Sequence, residues 1–86
     1  MAFLIGLFQP FEGLVLLSQG EVAQACARGE EARQLAPRSA AAAIYRFLGK
    51  CYMRAGNAAR ASGHYRTYLE LAPNASDAAF IKSIAR

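Results

Sequence analysis

Shifted by 36 residues, the chain superimposes on itself. Phe11 falls on Phe47, Gly13 on Gly49 and Gly20 on Gly56. Ala23 and Ala25 fall on Ala59 and Ala61, and Leu35-Ala36-Pro37 falls on Leu71-Ala72-Pro73. The match runs on, with Arg46 on Lys82 and Lys50 on Arg86. The chain therefore reads as two units and the start of a third. A period of this size marks a stacked array of supersecondary units, none of which buries its apolar face alone. Composition says which kind. Hydrophobic residues make up 55%, Ala is abundant, and the β-branched residues are two Val, four Ile and one Thr. That balance favours helix over strand.

Each unit reads as two helices. In unit two the first starts near Ser39, a good N-cap, and runs to Ala55. Gly56 supplies the left-handed turn that ends it. Asn57 caps the second helix, which runs to Ala72 and stops before Pro73. Unit one repeats the scheme, with Gly20 as the break and Pro37 as the stop. Pro10 is tolerated only in a first turn, so its helix starts or kinks near Gln9. A last helix runs from Ser76 or Asp77 to the end. At 86 residues the chain is one domain. Its first repeat spans about 6–39, its second about 42–75, and a capping helix about 76–86.

The side chains at these places resemble a known family. Tyr45, Leu48, Gly49, Tyr52, Gly56, Ala61, Tyr65 and Pro73 stand where the tetratricopeptide repeat has its W-x2-L-G-x2-Y, Gly, A-x3-F and Pro signature. Unit one keeps Gly13, Gly20, Ala25, Ala32 and Pro37, but has Gln9, Glu12 and Gly29 where large apolar residues belong. The resemblance implies an all-α fold of antiparallel helical hairpins stacked as a short superhelix. It also implies a scaffold or adaptor for protein–protein interaction. Gly49 and Ala61 would let the helices of a hairpin approach closely, with Leu48 and the tyrosines filling the core around them.

No catalytic constellation is present. His64 is the only histidine, and Ser62 lies on a different helix face from it. No GxxxxGK[ST] loop is present. Cys26 and Cys51 belong to no CxxC or Cys/His cluster, and read as small buried hydrophobes of a reducing compartment. The expectation is a non-enzymatic cytoplasmic chain that needs no metal or cofactor. The opening MAFLIGLFQPFEGLVLLS approaches the length of a membrane span. With Gln9, Pro10 and Glu12 inside it and no Lys or Arg before it, it reads as a buried helix, not a signal or anchor.

Charge separates the halves. The net +4 divides into −2 over residues 1–37 and +6 over 38–86. Such asymmetry points to an acidic partner for the second half. Arg46, Lys50 and Arg54 recur every four residues, which makes one helical stripe. In the family, the first helices of successive repeats line a concave groove. The resemblance places Ala43, Arg46, Lys50, Met53 and Arg54 on it, and the internal match adds Lys82 and Arg86. The partner expected there is an acidic peptide or protein surface. Lys50 stands where the family's carboxylate-clamp members have Asn, so a looser acidic site is expected than a strict clamp. Nucleic-acid binding ranks below this, because no recognition motif accompanies the basic half.

Unit one presents apolar residues at the same places. Leu14, Val15, Leu16 and Leu17 are apolar all round one helix, which must be buried on every side. Self-association, with a twofold dimer first, is expected through Phe3, Leu4, Leu7, Phe8, Leu14 and Leu17. The alternative is a terminal structural module of a larger bacterial protein, or a protein like the secretion chaperones.

Overall fold

The computed structural model describes residues 17, 19–36 and 40–85. Among these it contains four helices and no strand: α1 Val22–Leu35, α2 Ala41–Arg54, α3 Ala58–Leu71 and α4 Ala78–Ile84. The expected first helix of unit one, apart from Leu17, and Ser39 lie outside the described residues.

The turns follow local rules. Gly56 has φ +80°, which L side chains resist. Its N–H donates to the Met53 carbonyl, and that of Asn57 to the Tyr52 carbonyl. This pair of bonds closes a helix C-terminus in the Schellman arrangement. Gly20, at φ +82°, makes the corresponding turn one unit earlier. Asn57 then caps α3, its Oδ1 accepting from the Arg60 N–H at 3.2 Å. Three residues separate α2 from α3, so the two pack as an antiparallel hairpin. Among the described residues the backbones lie closest between sequence neighbours: α1 with α2, α2 with α3, α3 with α4.

The apolar stripe of α2 sets the core. Ile44, Phe47, Leu48 and Cys51 recur at helical spacing and are all buried. Phe47 and Cys51 meet Leu17, Ala25 and Cys26 on one side. Both thiols are free. Burial, then the neighbouring Cys26, pushes Cys51 up to about 12, so it packs as an inert hydrophobe. Tyr65, Tyr68 and Ile81 form a second cluster between α3 and α4, while Tyr45 and Tyr52 are half-buried.

Two expectations change here. Gly29 stands where a large apolar residue was expected, yet it is a contact glycine. A Cβ on it would lie 2.6 Å from Leu48 Cδ2 and 3.1 Å from Phe47 Cε2. The bulk at this position comes from α2 instead of α1. Leu17, expected on a self-association face, is only 3% exposed and packs in the chain's own α1–α2 core. Phe3, Leu4, Leu7, Phe8 and Leu14 lie outside the described residues.

Candidate functional site

Between α2 and α4 the surface sinks into a cavity of about 210 Å³, lined by Arg46, Lys50, Tyr65, Asp77, Phe80 and Ile81. The two cations come from α2, where a spacing of four residues puts them on one face. Tyr65 comes from α3, its ring seated against Gly49. Phe80 and Ile81 belong to α4, and Asp77 precedes it.

Asp77 organises this site. Its Oδ2 accepts from Arg46 Nε at 2.6 Å, and its Oδ1 accepts from the Tyr68 hydroxyl at 2.6 Å. The Tyr68 hydroxyl and then the Arg46 guanidinium hold the Asp77 carboxyl below its usual range. The bond to Asp77 pushes Arg46 and Tyr68 up. Asp77 was expected to start the last helix, and it stands at the N-cap position of α4. Its side chain does not cap, because both oxygens face α2 and α3 instead. One carboxylate thus ties three helices together.

A family model for the tetratricopeptide repeat matches residues 16–83. The chain belongs to the tetratricopeptide repeat family. No curated protein and no solved structure matches it. Tetratricopeptide repeats mediate protein–protein interaction, and the family is generally a non-enzymatic interaction module.

Within this tetratricopeptide scaffold the expected cations separate. Lys50 and Arg54 are exposed on α2 and make no ion pair with a described residue. Met53, on the same helix, is 44% exposed. Arg46 is at the cavity but already paired. Lys82 is exposed on α4 and does not line the cavity. Arg86 lies outside the described residues.

From α4 it is Phe80 and Ile81, not Lys82, that line the cavity beside Arg46. Ile81 is buried with Tyr65 and Tyr68, whereas Phe80 is 65% exposed. Sequence reasoning missed Phe80 because residue identity favoured Lys82. The signal that finds it is the apolar pair Tyr65 and Tyr68, which demands Ile81 as its cover.

A second polar cluster joins α1, α2 and α3. Glu30 accepts from the Tyr52 hydroxyl at 2.9 Å and from Arg33 Nε at 2.9 Å. His64 Nε2 lies 3.5 Å from the same carboxylate. The imidazole stacks on Tyr52 at 5.5 Å between centroids, and tilts against Tyr45 at 5.6 Å. Arg60 covers the Tyr52 ring at 5.5 Å. Burial pushes Glu30 up, but the Tyr52 and Arg33 bonds outweigh it and leave the carboxyl low. Burial lowers His64 against the opposing pull of Glu30. This is a packing seam. Among the described residues no three His, Cys, Asp or Glu gather to hold a metal. No helix of the described residues is long and apolar enough to cross a membrane.

The seam gives the fold an acid-sensitive point. His64 has a folded pKa below its unfolded value of about 6.5, so the unfolded chain binds the extra proton first. Its contribution is complete above pH ~6.5 and is lost as pH falls through the folded pKa. Glu30, also lowered, adds a loss at more acid pH. Thermal melts should therefore show Tm falling between pH 7.5 and 5.5, and His64→Gln should flatten that slope. Equal slopes in the two proteins would show that His64 does not titrate differently on folding.

Proposed function

We propose that the chain is an interaction module that docks an acidic segment of a partner protein in the groove between α2 and α4. One observation carries this reading. Among the described residues that line the cavity the one acid, Asp77, already accepts a bond on each oxygen, while the cations keep donors to offer. Lys50 has its whole ammonium. Arg46 has five N–H donors, of which Asp77 takes the one on Nε. The group that complements such a lining is an anion. Arg54 extends the same stripe, and the basic second half supplies a favourable field for an acidic partner.

Exposed ion pairs contribute only ~0–1 kcal/mol each, so affinity needs several together and weakens as salt rises. Lys50→Glu tests the proposal better than a change at Arg46, which also ties α4 to the body. The probe is a heptapeptide, Gly-Asp-Glu-Trp-Asp-Glu-Gly. The chain has no Trp, so tryptophan emission reports the peptide alone. Lys50→Glu should weaken binding at least ~10-fold, a loss of ~1.4 kcal/mol. Unchanged affinity in this variant, or binding that ignores salt, would remove the groove from the function.

A further inference from the structure

We infer that the segment docked in this groove carries an aromatic side chain among its acids, and that this side chain seats on Phe80. The inference rests on the docking proposal above and names the partner's chemistry.

Phe80 is 65% exposed, although α4 attaches to the body without it. Ile81 supplies the apolar anchor against Tyr65 and Tyr68, and the Arg46–Asp77–Tyr68 bonds supply the polar one. A large ring on a folded surface gains little from folding, yet this ring lines the cavity that holds Arg46 and Lys50. The cavity's size limits the occupant. At about 210 Å³ it is smaller than the ~300–1,000 Å³ of small-molecule sites, and suits one inserted side chain. Its lining selects the type. Tyr65 and Phe80 bring two rings from two helices, and rings pair by edge and offset contacts. Arg46 adds a guanidinium, the cation that most often lies over an aromatic face. The acids beside the inserted ring then meet Lys50 and the exposed Arg54. Charge alone holds such a segment weakly, whereas a buried aromatic anchor ringed by polar contacts is the usual source of interface affinity.

The test uses the full 86-residue chain and the same Trp heptapeptide. Two competitors are added, one with Ala in place of Trp and one with Lys in place of every acid. Binding should shift the Trp emission to the blue. The Ala peptide should compete at least ~10-fold less well than the Trp peptide. Phe80→Ala should remove most of that difference and Phe80→Tyr should keep it. Both variants alter an exposed position, so circular dichroism should stay helical.

Equal competition by the Ala peptide, or an aromatic preference that survives Phe80→Ala, would overturn the inference and leave docking by charge standing. A Lys peptide that competes as well as the acidic one would overturn it too, since the seat would then ignore acids. If neither acidic peptide binds up to about 1 mM, the docking proposal itself fails. If Phe80→Ala instead lowers the molar mass in solution, a second copy covers the ring and the inference is wrong.

Discussion

Gly49→Ala should lower the melting temperature by roughly 8–16 °C, while Gly63→Ala raises it. Both replace a glycine inside a helix, where Ala gains ~0.8–1.0 kcal/mol in propensity. Their surroundings reverse the sign. A Cβ at Gly63 meets nothing within 4 Å, so the gain is realised in full. A Cβ at Gly49 would lie 2.4–2.7 Å from three atoms of the Tyr65 ring. That ring is buried, with Tyr68 and Ile81 behind it, and cannot swing aside as a flexible chain end does. Overpacking costs ~1–3 kcal/mol, and this contact belongs at the upper end. After the propensity gain the loss is about 2 kcal/mol, and each kcal/mol moves Tm by ~4–8 °C at this size. Adding Tyr65→Leu should recover at least ~0.5 kcal/mol relative to the sum of the single changes, since the two residues share one space. Melts of the four proteins measure this. If Gly49→Ala and Gly63→Ala stabilise alike, α2 and α3 are not as close as described.

Leu48→Ala should be strongly destabilising, at about 2–5 kcal/mol by urea denaturation. Leu48 is fully buried on the central helix, and its Cδ2 lies beside Gly29. The domain has a total stability of only ~5–15 kcal/mol, so this loss leaves a large unfolded fraction on warming. The geometry also predicts a rescue. Gly29→Ala alone forces Leu48 to shift, because the new methyl would lie 2.6 Å from Cδ2. In the Leu48→Ala background that methyl enters the vacated volume. The double variant should therefore be more stable than Leu48→Ala alone. A double variant no more stable than Leu48→Ala would mean that α1 relaxes into the cavity by itself.

Much of the backbone is legible in the sequence. Gly20 and Gly56 mark the left-handed turns, Asn57 marks the α3 cap, and the helix spacing of Ile44, Phe47, Leu48 and Cys51 marks the buried face of α2. Each rests on forces within a few residues: steric limits on φ, a side chain reaching a nearby N–H, an apolar stripe. The repeat signature of Tyr45, Leu48, Gly49, Tyr52 and Tyr65 extended this to the family. The stripe of Arg46, Lys50 and Arg54 on α2 was legible for the same reason, since residues four apart share a face, whereas the groove was only what the family resemblance implied.

The rest depended on distances between helices. The 36-residue match put Lys82 beside Arg46, whereas Ile81 packs with Tyr65 and Tyr68 and it is Phe80 that lines the cavity with Arg46. Arg46 read as one of a stripe of cations for an acidic partner, yet Asp77, 31 residues away, accepts from its Nε at 2.6 Å. Glu30 and His64 carried no common motif, yet α1 and α3 bring them to 3.5 Å across the rings of α2. Gly29 and Leu17 changed roles because a neighbouring helix filled or covered their positions. Sequence by itself determined the elements, their order and their family, because turns, caps and stripes are local. Only the tertiary structure decided which side chains share the site, because side-chain packing sets the register of one helix against the next.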